Sequence, residues 1–123
     1  MLMLKKYNKI IIAGHSEGAL IGMVAANGNA DAYISLAGAG RPIDEVLLEQ
    51  IGKQAPFLKE EVQKNLDILK SGKTFENKNQ MLAALFRESV QPYMISWIKY
   101  HPQNEIKKIQ IPVLIINGDK DLQ

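Results

Sequence analysis

The sequence contains no cysteine. That excludes disulfide staples and thiolate metal sites. It has two histidines, His15 and His101, and no His-x-x-x-His or similar pair from which a zinc site could be built with carboxylates at ligand spacing. Net charge is scarce as well: 15 basic residues against 13 acidic ones leave +2. A charge so small, with lysines scattered rather than gathered in a stripe, does not point to nucleic acid or to an anionic membrane surface. No apolar run approaches 18 residues, so no segment reads as a membrane span. The opening Met1-Leu2-Met3-Leu4-Lys5-Lys6 puts its few apolar residues ahead of its lysines, which does not fit a secretory signal. A cytosolic chain is the resulting expectation. What remains is ordinary: 46% hydrophobic and 23% charged residues in a chain of 123. That is enough for one domain and too apolar for wholesale disorder.

Two apolar runs bracket the chain, Ile10-Ile11-Ile12-Ala13 and Val113-Leu114-Ile115-Ile116. Neither alternates apolar with polar. Continuous β-branched runs of this length predict strands of a parallel sheet, buried on both faces. Ala32-Tyr33-Ile34-Ser35-Leu36-Ala37 is a third, weaker run, and each of the three ends at a glycine: Gly14, Gly38 and Gly118. Between the first two, Ser16 to Asn27 repeats apolar residues at helical spacing (Ala19, Leu20, Met23, Val24), and Gly28 follows as a C-cap. Strand, helix and strand in fewer than 30 residues make a βαβ unit, with a right-handed crossover.

The connection from the second strand to the third, roughly residues 38–110, is too long to be structureless in a compact domain. It reads as helices. Pro42 opens one that runs to Gln54, and Pro56 opens another whose stripe is Leu58, Val62, Leu66 and Leu69. Glu60 and Lys64 form an i,i+4 pair on its other side, and Gly72 ends it. A polar turn from Ser71 to Gln80 leads to helical segments Met81–Ser89 and Pro92–Tyr100, then a short one from Pro102 to Ile109. The aromatics Phe57, Phe75, Phe86, Tyr93 and Trp97 fall in this stretch; at helical spacing they read as core ahead of an acyl pocket.

The strongest chemical signal is Gly14-His15-Ser16-Glu17-Gly18. It follows a strand and opens a helix, the setting a Gly-x-Ser-x-Gly corner requires. The chain must reverse sharply there, so the serine takes a strained backbone and its hydroxyl stands clear of the sheet. Small residues two before and two after keep strand and helix from colliding. The helix start offers free N–H groups and a positive dipole end, and the Glu17 N–H would face a developing oxyanion. A glycine-flanked turn without chemistry is the plain alternative. Other motifs fail. Ser71-Gly72-Lys73-Thr74 has Asp67 where a phosphate loop needs its first glycine, and Gly38-Ala39-Gly40 lacks the third glycine of a dinucleotide fingerprint. Asp119 and Asp121 alone are too few oxygen ligands for a cation site.

With these residues in view, the chain resembles the α/β-hydrolase superfamily, specifically its capped esterase-like and lysophospholipase-like serine hydrolases. The resemblance rests on Ile10 to Gly18 and on Ile111-Pro112-Val113-Leu114-Ile115-Ile116-Asn117-Gly118-Asp119-Lys120-Asp121. It implies an α/β class: a partial α/β-hydrolase fold of about three parallel strands, equivalent to the fifth, sixth and seventh of that family. Residues 1–41 and 101–123 would form the partial core, and 42–100 a helical cap insertion. It implies Ser16 as nucleophile, Asp121 as the acid three residues after the strand-closing glycine, with Asp119 as runner-up, and Glu17 as oxyanion donor. No cofactor and no metal are implied, and the substrate would be a small-molecule ester. The triad histidine of the family follows the acid, and His15 and His101 both precede it. The first and third strands would each lack a neighbour on one edge. The accompanying expectation is therefore a truncated domain that associates with copies of itself through unpaired sheet edges.

Overall fold

A computed structural model describes residues 7–121 of the chain. Met1 to Lys6, read above as no secretory signal, lie outside the described residues. The chain is α/β, with six α-helices and one three-stranded parallel sheet among the described residues. It divides into two compact units. One runs to Gly40 and resumes at Pro102; the other is Arg41–His101.

The first unit holds the sheet. Strands β1 (Ile11–His15), β2 (Ala32–Leu36) and β3 (Val113–Ile116) lie in the order β1-β2-β3. The register sets Ile11 beside Ala32 and His15 beside Leu36, then Tyr33 beside Val113 and Leu36 beside Ile116. Helix α1 (Glu17–Ala26) joins β1 to β2. Gly28 follows it with φ +76°, the left-handed conformation that glycine adopts at least cost. The short helix α6 (Pro102–Glu105) and a 3₁₀ turn (Ile106–Lys108) precede β3.

Side chains alternate across the sheet. One face carries Ile12, Tyr33 and Ser35 toward α1, whose Ala19, Met23 and Ala26 are buried. Ile106, Ile109 and Ile111 pack against that small core. On the opposite face Ile11 is 60% exposed, Leu114 53% and Ile116 50%. This corrects the expectation of strands buried on both faces. An apolar run encodes a preference for burial, but the covering element must come from elsewhere, and the sheet unit's own helices leave this face uncovered.

The second unit is helical: α2 (Ile43–Gln54), α3 (Lys59–Lys70), α4 (Ala83–Phe86) and α5 (Gln91–Ile98), with 3₁₀ turns at Pro56–Leu58 and Gln80–Leu82. Its core is Leu58, Val62, Leu66, Leu69, Leu82, Phe86, Met94 and Ile98. Full burial of each such large side chain contributes about 1.5–3 kcal/mol. Lys70 Nζ reaches the nearly buried Asp44 at 2.8 Å and ties α3 to α2; that hydrogen bond, with the Asp44 charge, holds the ammonium above its ordinary value. On α3 the polar pair that forms is Gln63 with Asp67, at 3.0 Å.

Gln91 is the polar centre of this unit and has no exposure. Its Oε1 accepts from the Phe75 N–H at 2.9 Å, and its Nε2 donates to the carbonyls of Phe75 and Phe86 at 2.8 and 2.7 Å. The expected helix Met81–Ser89 is correspondingly short. Asn79 Oδ1 accepts from the Met81 N–H at its start, and Arg87 turns extended (ψ 144°) where the Phe86 carbonyl is taken by Gln91. Of the expected core aromatics, Phe86 is fully buried against Phe75, with ring centroids 5.7 Å apart, whereas Phe57 is 72% exposed.

Candidate active site

Ser16 occupies the corner between β1 and α1 with φ 56° and ψ −121°. A positive φ at a residue with a side chain costs on the order of 1–3 kcal/mol and persists only where the surroundings over-determine it. Two features do so here. The Ser16 N–H bonds the Leu36 carbonyl at 2.9 Å, extending the β1–β2 ladder by one step. Gly14 then lets the helix fold back. A Cβ there would lie 2.0 Å from the Gly18 carbonyl oxygen and 2.8 Å from the Ala19 Cα, both backbone and unable to yield. Gly18 differs: a Cβ added to it meets nothing within 4 Å. The steric demand for a small residue therefore falls on the position two before the serine and not on the one two after, against the symmetric expectation.

Ser16 is the N-cap of α1, yet its side chain makes no capping bond. The residue is half-buried, and its hydroxyl is not engaged in holding the helix. Glu17 is the first helical residue, so its N–H has no carbonyl of its own helix to bond. A donor and a hydroxyl thus sit side by side at the positive end of a ten-residue helix. His15 ends β1 and is exposed; His101 belongs to the helical unit and is also exposed.

The acid candidates lie past β3. Asp121 and Asp119 are exposed in the loop that Gly118 opens, and the Asp121 N–H bonds the Gly118 carbonyl at 3.2 Å. The register puts Ser16, Ala37 and Asn117 at one level, each a single residue beyond its strand. Asn117 Nδ2 donates to the Gly38 carbonyl at 3.4 Å, linking the exits of β2 and β3. Ala37, with φ 50°, is the second non-glycine residue in the left-handed region among the described residues. Its N–H bonds the Ile116 carbonyl at 2.8 Å.

Beside this edge the sheet unit holds a cleft of about 250 Å³, lined by Met23, Ser35, Gly38, Ile106, Ile115 and Asn117 among others. Ser16 does not line it. Among the described residues no group of three histidines or acids could hold a metal ion, and no helix is long and apolar enough to cross a membrane. Sequence reasoning missed the polar pair Tyr33 and Ser35 on β2. Their two-residue spacing was the available signal, hidden inside a run read only as apolar.

No family model matches the chain, and no solved structure matches it. Among characterised proteins it is similar to Esterase EstD of Thermotoga maritima, at 27% identity over 130 residues and 97% of this chain. The chain spans 29% of that esterase's length. Together with the α/β architecture, this similarity supports a distant, esterase-like relationship at a coarse level.

Proposed function

We propose that the sheet unit carries the nucleophile of an esterase-like serine hydrolase acting on carboxylic esters. Ser16 Oγ adds to the ester carbonyl carbon as its proton passes to a histidine. The carbon–oxygen bond to the alcohol then breaks as that proton moves to the leaving oxygen, and water hydrolyses the acyl-enzyme by the same two steps. The Glu17 N–H donates to the oxyanion. Asp121 orients the histidine, with Asp119 as second choice; the histidine is one other than His15 and His101. The helical residues 42–100 stand, in sequence, where a cap is inserted, with 1–41 and 101–123 as partial core.

The observation that carries this reading is the strained serine with an unengaged hydroxyl at a strand-to-helix corner. A fluorophosphonate probe tests it, with and without excess imidazole to stand in for the base. Labelling that maps to Ser16, rises with imidazole and vanishes in Ser16→Ala is expected. A folded chain that stays unlabelled in both conditions overturns it.

A second reading has its own observation. Strands β1 and β3 are the two outer strands, and Ile11, Leu114, Ile115 and Ile116 on them are at least half exposed. In this reading the chain is a non-catalytic domain that completes its sheet with a second copy. Sedimentation would then give a dimer that the probe does not label; a monodisperse monomer at high concentration counts against it.

A further inference from the structure

We propose that the Tyr33 hydroxyl is a positioning group for the Ser16 corner, fixing the first turn of α1 over the middle strand. The assignment of chemistry to that corner rests on the hydrolase reading; the clamp itself does not.

Tyr33 is the largest fully buried side chain described, at 0% exposure. A phenylalanine would fill the same space without burying a hydroxyl, and a buried phenol must find a partner. The partner is the Ala19 carbonyl oxygen, to which the Tyr33 hydroxyl donates. Ala19 in turn donates its N–H to the Ser16 carbonyl at 3.0 Å. Two hydrogen bonds in series therefore run from the middle strand to the strained residue. The Ser16 N–H, meanwhile, is held by Leu36 of the same strand. Strand β2 thus grips the corner from both sides, directly at the Ser16 nitrogen and through Tyr33 and Ala19 at its carbonyl.

The space for this grip is built in. Gly22, one turn after Gly18, has no Cβ; one placed there would stand 3.3 Å from both Tyr33 Cε2 and Ile12 Cγ2. The ring lies in the slot that this absence leaves. Burial pushes the phenol above its ordinary value, with the Ser35 hydroxyl opposing, so Tyr33 remains a neutral donor across the working range of pH.

Tyr33→Phe removes one oxygen and keeps the ring. Two measurements read the result. In amide hydrogen exchange, the Ala19 N–H, which bonds the Ser16 carbonyl, should exchange about tenfold faster, while Val62–Leu69 in the helical unit stay unchanged. In fluorophosphonate labelling with imidazole, the saturating rate should fall about tenfold with the half-saturating probe concentration unaltered. Unchanged exchange at the Ala19 N–H overturns the proposal. So does loss of protection throughout β1, β2 and α1, which would make Tyr33 a structural residue only. A wild-type chain that is never labelled, combined with faster local exchange in Tyr33→Phe, sinks the hydrolase reading and leaves the clamp standing.

Discussion

In the helical unit Val62, Leu66, Leu82 and Phe86 are each no more than 1% exposed; in the sheet unit Val113, Leu114, Ile115 and Ile116 are 38–61% exposed. All eight are large apolar residues, and their fates are opposite. The helical unit surrounds its apolar stripe with its own elements, since four helices can cover one another. The sheet unit covers one face with α1 and the segment before β3, and leaves the other face and both outer strands open. Local burial, and with it local stability, should therefore be unequal along the chain.

Four experiments would break or sharpen that contrast. Phe86→Ala should have the largest effect, about 3–5 kcal/mol, because it empties a fully buried site in the closed core. Hydrogen exchange should place the loss in residues 41–101; a loss of similar size at β1 and β2 would contradict two separate cores. Gly14→Ala should cost roughly 3 kcal/mol, since its Cβ meets backbone that cannot retreat. That loss should be confined to the sheet unit, and a neutral result would refute the corner geometry. Ile115→Ser should change folding by less than about 0.5 kcal/mol, as for surface positions generally. A markedly larger loss, growing with protein concentration, would mean that the open strand is covered by another copy in solution.

The smallest effect is electrostatic. On α2, Glu49 bridges Lys53 and Arg41, whose hydrogen bonds and charges hold its carboxyl well below the usual range, at about 2. A depressed carboxyl contributes stability above its unfolded value and loses it as pH falls through the folded one. The helical unit of Glu49→Gln should therefore lose its small disadvantage relative to wild type between about pH 4.5 and 2. A difference that persists at the acid end would mean that the glutamate acts through packing.

Much of this was legible in the sequence, for local reasons. Gly14-His15-Ser16-Glu17-Gly18 specifies its corner through one steric collision and one strained residue, both set within five positions. The stripe Leu58, Val62, Leu66 and Leu69 is buried as its spacing predicts. What escaped depends on contacts that the spacing of apolar residues does not encode. The run at β3 says nothing about whether a second layer exists. The early end of α4 depends on Gln91, five residues beyond Phe86, which captures a carbonyl that helix continuation would have used. Phe57 was grouped with core aromatics by composition, yet it sits in a 3₁₀ turn whose inward position goes to Leu58.

The Gln91 side chain has a consequence of its own. By meeting both the amide and the carbonyl of Phe75, it acts as one rung of a ladder for a stretch that has no strand. The polar passage from Ser71 to Gln80 is thereby divided into two short leashes pinned near their middle. Closing two short leashes restricts the chain differently from closing one long one, because closure entropy rises only slowly with length. A trypsin cut after Lys73 or Lys78 would free one leash only, and the other half would stay moored to the bundle.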